Sequence, residues 1–567
     1  MVYPTDLLAS IPSGVGRPAG EVSTLPEPLA SAAFTPQQKE YLTGLFAGVA
    51  ARGQRFSDVE PTPVPKNEDL ILEERIKREL HPLEAYEQIV ENARANKSPD
   101  KEDIFRFKWN GLFFLTPVKD AFMARLRIPG GVLKGYQLRE LARVAQELTT
   151  GYVQITTRAN LQLRLIQPKD APEVLRRIQS VGLHTRGAGA DNIRNLTMNP
   201  TAGIDPVELI DVQPYLQELA HIILNDRSFY DLPRKFNIAY DGGGFIGTVE
   251  DTNDIGAKAV KVDNEVHFRI VLGGATGHKS FARDLGVVVP PNDLNKVVTA
   301  IVRVFIERGC RSDRKRARLK HLLEKVSLDE YLAAVEEKLG ARLRRVPFDP
   351  AQMRWASQEL PHSHVGDFPQ KQSGLNYVGA TCPVGQITPK QMLRLAELAD
   401  SYGSGEVRLT VWQNFIVPNV PDAFVQTLKR ALEKAGFSTR QSNLASGVVA
   451  CTGNSYCKYA QSNTKGHALD LIKHIEKRLE LDQPVNIHFT GCPNSCAQHY
   501  IGDIGCLGTK TKIAGQNVDA YHVFVGGGFG AHQAIGRQLF TGVAANELPQ
   551  AIERILHAYL RSRHGGR

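Results

Sequence analysis

Four of the chain's seven cysteines crowd into 46 residues near its C-terminus, as Cys451-Thr-Gly-Asn-Ser-Tyr-Cys457 and Cys492-Pro-Asn-Ser-Cys496. The spacings are C-x5-C and C-x3-C, so each pair can present two thiolates from one loop. Four thiolates suit zinc or an iron–sulfur cluster. Structural zinc pairs usually keep about two to four residues between ligands, so the wider first pair favours a cluster. Gly453, Asn454, Gly491 and Asn494 make both loops rich in backbone N–H groups able to reach cluster sulfides. Met1 to Gly20 lacks a basic stretch followed by an apolar core, so a disulfide framework is not expected. Cys310, Cys382 and Cys506 are read as single buried thiols.

A second constellation is cationic. Basic residues fall in short Gly- and Asn-punctuated stretches: Arg125-Leu-Arg127, Thr157-Arg158, Asp191-Asn-Ile-Arg194 and Arg234-Lys235-Phe-Asn237. Such residues are often solvated surface charges, but gathered in one lobe they could hold an anion. Arginine keeps its proton and can only orient an anion, whereas lysine can also release a proton.

The elements that would position these groups come as a duplication. Residues 130–160 resemble 384–414, with Gly131, Thr156 and Asn160 matching Gly385, Thr410 and Asn414 at an offset of 254. Residues 182–186 fall on 436–440 at the same offset, and 268–277 on 521–530 at 253. Apolar spacing predicts helices over 137–148, 389–402 and 467–479, and strands over 153–156, 407–411 and 485–489. Repeats of this length imply two lobes packed as a pseudo-twofold pair, with a natural cofactor site at their junction. Arg125 corresponds to Gly379 and Arg158 to Trp412, so one lobe became cationic while the other gained thiols.

The length of 567 residues predicts about three or four domains. No run of 18 apolar residues appears, so no transmembrane helix is expected. With no export signal either, a cytoplasmic protein is expected. The net charge of +9 permits an acidic partner. Residues 69–95 are read as one charged helix, with ordered α/β structure beginning near Phe105. The run Arg311 to Lys320 is read as a solvated helix face. Gly526 to Ala531 matches G-x-G-x-x-A, but too few residues follow for a dinucleotide-binding unit, so a structural turn is expected.

C-x5-C followed at a distance by T-G-C-P-N-x-C resembles the cluster signature of the ferredoxin-dependent nitrite and sulfite reductase family, and the duplicated lobes resemble its architecture. The resemblance runs from about Phe105 to the C-terminus. It implies an α/β (α+β) fold with ferredoxin-like half-domains and two lobes that bind sirohaem and iron–sulfur. The expected segments are an extension at 1–66, half-domains at 67–186 and 346–445, and lobes at 187–345 and 446–567. It implies a [4Fe-4S] cluster on Cys451, Cys457, Cys492 and Cys496, with Cys496 bridging to sirohaem. Arg125, Arg194 and Lys235 match the cations over the distal sirohaem face, with Lys235 the candidate acid. Arg158, Gln162 and Asn494 match cofactor contacts. The implied partners are ferredoxin, or a similar one-electron donor, and nitrite, with the chain a monomer. Asn237 stands where sulfite-reducing relatives carry a second lysine, which favours nitrite. A sulfite reductase is the nearest alternative; a zinc-stabilised binding protein and a nicotinamide-dependent dehydrogenase are the others.

Overall fold

The computed structural model describes residues 35, 70–115, 120–149, 151–348 and 362–562. The expected flexible extension at 1–66, with its helix around Tyr41 to Val49, lies outside them apart from residue 35. The unit Ile71–Arg567 contains four sheets, whose pairing follows from the duplication.

Two five-stranded sheets exchange a strand. Leu112–Phe114, Phe122–Arg125, Leu161–Ile166 and Val153–Ile155 lie side by side in that order, and Gln386–Ile387 from the second repeat completes the sheet. Gly366–Pro369, Leu375–Ala380, Phe415–Pro421 and Glu406–Leu409 form its counterpart, completed by Val132–Lys134 from the first repeat. The turn before each donated strand needs glycine. Gly131 and Gly385 have φ of 75° and 69°, and a Cβ there would lie 2.7 Å from Leu409 O and 2.5 Å from Ile155 O.

Helices Gly135–Leu148 and Pro389–Tyr402 cross between these sheets with matching apolar stripes. Leu138, Leu141, Ala142, Val144 and Ala145 are buried on one, and Met392, Leu395, Ala396, Leu398 and Ala399 on the other. The second begins where Thr388 and Gln391 form a reciprocal capping box. One continuous core thus joins both half-domains.

The two larger sheets share a topology. Thr197–Met198, Ile238–Asp241 and Ile255–Val262 run parallel, and Glu265–Leu272 and Arg283–Val289 follow antiparallel. Val448–Ala450, Ile487–Thr490 and Ile504–Ile513 repeat the parallel set, and Gln516–Val525 and Arg537–Ala544 the antiparallel one.

Four expectations need correction. The charged stretch 69–95 is two helices, Leu72–Glu79 and Tyr86–Arg94, with the turn Pro82–Glu84 between them. Pro82 lacks the N–H a continuous helix requires. Ordered structure therefore starts well before Phe105. The run 311–320 is no solvated helix face: Arg311 reaches Glu74 and Asp231, Arg314 grips Asp191 at 2.7 and 2.9 Å, and Arg318 grips Asp254 at 3.2 and 2.7 Å. Cys382 and Cys506 are buried as read, but Cys310 is partly exposed.

Candidate active site

Parallel strands leave open loops at their carboxyl ends, and the second lobe puts its thiols there. Cys451 directly follows Val448–Ala450, and Cys492 follows Ile487–Thr490 after Gly491. The Cys451 N–H donates to Phe489 O at 2.9 Å, extending the ladder. The Gly491 N–H points at Cys451 Sγ, 3.2 Å away. Gly491 has no room for a side chain, since a Cβ would lie 2.6 Å from Ala460 Cβ. Ser495, at φ 51°, folds the second loop into a hook, with its hydroxyl against His499 Nδ1 at 2.9 Å.

The four thiols share one space. Burial pushes the Cys492 thiol up, and Cys457 and Cys451 add to the effect. Burial pushes Cys496 up to about 11, with Cys451, Cys492 and Cys457 opposing its ionisation and Lys235 favouring it. Mutual repulsion of this kind holds protons on the thiols until a metal centre replaces them. Among the described residues no three His, Cys, Asp or Glu side chains converge on a single ion.

The matching place in the first lobe is closed. Equivalent ladder positions align Asn199 and Asp205 with Cys451 and Cys457, and Gly243 and Gly247 with Cys492 and Cys496. Asn199 Nδ2 donates to Asp241 Oδ1 at 2.9 Å and to Ile246 O at 2.8 Å. Asp205 accepts from the Thr201 hydroxyl and the Phe245 and Val207 N–H groups. A satisfied polar network thus replaces the thiols, so only one of the two repeated places carries the four cysteines.

Cys496 is exposed, yet burial dominates its ionisation, so it borders an internal hollow rather than the outer surface. Arg125 and Lys235 lie within the field of this thiol, and Arg194 within that of Arg125. Arg125 ends strand Phe122–Arg125, its guanidinium 4.4 Å above the Phe113 ring and its one side-chain bond a 3.4 Å contact to Ala188 O. Arg194 and Lys235 stand on neighbouring segments, joined where Arg194 N–H donates to Phe236 O at 2.7 Å and Phe236 N–H to Asn192 O at 3.0 Å. Arg194 Nη1 is buried without a partner. Burial weakens protonation of both arginines, most strongly at Arg194, and lowers the Lys235 ammonium to about 7, with Arg318 adding to the effect. Asp191 and Asp254 hold Arg234, Arg314 and Arg318. By contrast, Arg125, Arg194 and Lys235 have no ion pair among the described residues. Three desolvated cations without carboxylates fit an anionic guest.

The expected cofactor contacts are placed unevenly. Arg158 is largely engaged, donating to Asn195 O, Ile238 O and Asn253 Oδ1. Gln162 lies opposite Arg125 on the adjacent strand and accepts from Arg164 at 2.5 Å. Asn494 is exposed on the second cysteine loop, which Thr157 ties down by donating to Cys496 O at 3.0 Å. A hollow open to solvent lies beside this chamber, walled by Thr157, Arg158, Thr252, Trp412, Gln498 and Phe529 among others. Its walls omit Arg125, Arg194, Lys235 and Cys496, so it adjoins the cationic chamber and is not the same space. It draws equivalent residues from both repeats, Arg158 with Trp412 and Thr252 with Ile501, and so lies on the pseudo-twofold axis.

Two buried cations at the cluster loop escaped the sequence reading. Arg164 donates to Thr452 Oγ1 at 2.6 Å, and Lys465 to Ala450 O at 3.1 Å. Neither belongs to a motif; the available signal was a charge inside an otherwise apolar strand or helix face.

Comparison with known proteins bears on both constellations. The family model "Nitrite and sulphite reductase 4Fe-4S domain" matches residues 189–343 and 443–567. "Nitrite/Sulfite reductase ferredoxin-like half domain" matches 117–181 and 368–435. A ferredoxin–nitrite reductase of Synechococcus elongatus is 38% identical over 459 residues, 80% of this chain and 88% of that protein. One from Leptolyngbya laminosa is 35% identical over 511 residues, 88% of this chain and 99% of that protein. The structure of the Mycobacterium tuberculosis NirA protein superposes with a TM-score of 0.82 at 29% identity, covering 88% of this chain and 95% of that one.

Proposed function

The chain belongs to the nitrite and sulphite reductase family, and from that premise we propose that it takes electrons from ferredoxin to reduce nitrite to ammonium, with a [4Fe-4S] cluster and sirohaem as cofactors. The observation that carries this reading is the chamber at Cys496, where a thiol of the cysteine group lies within the field of Arg125 and Lys235, with Arg194 beside Arg125. Cys451, Cys457, Cys492 and Cys496 would hold the cluster, and Arg158, Gln162 and Asn494 would border the tetrapyrrole. Arg158 would contribute mainly its charge and its planar face, since most of its N–H groups are already engaged. Cys496 would stand between the two groups, and a sirohaem held there would supply the iron and redox chemistry that nitrite reduction needs.

The remaining work falls to the chain's own groups. Arg125 and Arg194 draw a small anion into the chamber and fix its oxygens by charge-assisted hydrogen bonds, which strengthen as negative charge grows during N–O cleavage. Both oxygens leave as water, so protons must be delivered at that point. Arginine cannot supply them, and Lys235 is the chamber cation that can.

The choice of nitrite over sulfite rests on the charge around Lys235. Asn237 stands two residues on, its N–H donating to Asp254 Oδ2 at 2.8 Å, and Asp254 neutralises Arg318. The fixed positive charge therefore suits a monoanion. We place the enzyme in nitrogen assimilation, as a cytoplasmic monomer; no described helix is long and apolar enough to cross a membrane. The test is turnover of nitrite and sulfite with one reduced ferredoxin. Nitrite should be preferred, and a clear preference for sulfite would select the alternative substrate.

A further inference from the structure

Lys465 is buried at the start of helix Thr464–Glu476, next to Thr464, whose hydroxyl donates to Cys451 O at 2.7 Å. Its ammonium donates to Val384 O and to Ala450 O, the residue before Cys451. Both acceptors are neutral, and no carboxylate pairs with Lys465 among the described residues. Burial lowers the Lys465 ammonium to about 7, and the groups that favour its charge are cysteine sulfurs, Cys451 first and then Cys382. Arg164 repeats the pattern from the half-domain. Its guanidinium donates to Thr452 Oγ1, Gln154 Oε1 and Gln162 Oε1, all uncharged, and Cys457 lies within its field.

Two desolvated cations therefore bracket the C-x5-C loop, and neither has a carboxylate counter-charge among the described residues. A buried cation is costly unless an anion compensates it. The compensating anion available here is the thiolate-ligated cluster, and the attraction grows when the cluster gains an electron. Net charge and nearby charges are among the factors that set such a potential.

We propose that Lys465, supported by Arg164, is a positioning residue for electron delivery: its ammonium, buried against the Cys451 loop, raises the reduction potential of the cluster on Cys451, Cys457, Cys492 and Cys496. The step is a one-electron transfer. The donor loses one electron, the cluster gains it, and no bond or proton changes hands. The inference rests on the reading of those four cysteines as cluster ligands.

The experiment is a redox titration of the holoenzyme, followed by the electron paramagnetic resonance of the reduced cluster, with iron content measured on the same samples. Lys465→Gln keeps a donor for the two carbonyls and removes the charge; Lys465→Arg keeps the charge. At a fixed poise the Gln variant should show about a ten-fold lower ratio of reduced to oxidised cluster, about 59 mV for one electron, and the Arg variant should stay near wild type. If Lys465→Gln fails to load iron, Arg164→Gln serves as the second variant and should shift the same way. A loaded charge-removing variant with the wild-type potential overturns the inference, as does an Arg variant that shifts as far as Gln. A wild-type protein lacking the cluster would instead refute the underlying assignment.

Discussion

Replacing Arg194 by methionine separates what the chamber does for catalysis from what it does for folding. Arg194 Nη1 is buried with no hydrogen-bond partner among the described residues, and burial and then Arg125 oppose its charge. An unsatisfied buried polar group costs about 1–3 kcal/mol, so Arg194→Met should leave Tm unchanged or raise it. During turnover the sign reverses. A unit charge about 4 Å from an anion, at an effective dielectric of about 20, contributes about 4 kcal/mol. Loss of one preorganised donor in an oxyanion site costs about 100- to 1000-fold in rate. Nitrite kcat/KM should therefore fall by two to three orders of magnitude while the visible cofactor bands persist. The assays are steady-state reduction with a dye donor, which bypasses ferredoxin, and thermal unfolding of the same preparation. A kcat/KM within about three-fold of wild type, or a clearly lowered Tm, would refute the reasoning.

Asn237→Lys adds a cation beside Lys235 while leaving the backbone bond to Asp254 intact, and should raise the sulfite-to-nitrite ratio of kcat/KM about ten-fold; an unchanged ratio removes this residue as the determinant. Cys492→Ser should abolish iron loading and activity while far-UV circular dichroism stays native, and a full iron complement would contradict its assignment as a ligand. Asp254→Ala strands the buried Arg318 guanidinium and should lower stability by about 3–5 kcal/mol, read as a fall in denaturant midpoint. A double replacement of Asp254 and Arg318 by leucine and methionine should recover much of that loss, and failure to do so would mean the pair is not the cause.

The features legible in the sequence were local or periodic. Helix Pro389–Tyr402 follows its expected bounds because its capping box and apolar stripe are both written in consecutive residues. The 254-residue offset foretold the paired lobes, although the strand exchange through Val132–Lys134 and Gln386–Ile387 could not be read from either repeat alone. The cysteine motifs and the Arg194–Lys235 neighbourhood were legible because each sits in a short signature. The errors were non-local. Arg314 and Arg318 resemble surface charges until Asp191 and Asp254, more than 60 positions away, are brought against them. Lys465 and Arg164 went unnoticed for the same reason: their significance lies in the carboxylates that are missing around them, which only packing reveals.

The most direct test of four thiols gripping a cluster that shares Cys496 with sirohaem is the absorption spectrum of the purified protein, recorded before and after nitrite. The account predicts sirohaem bands over a broad iron–sulfur background, with the bands shifting as nitrite binds. A folded, colourless protein would contradict it.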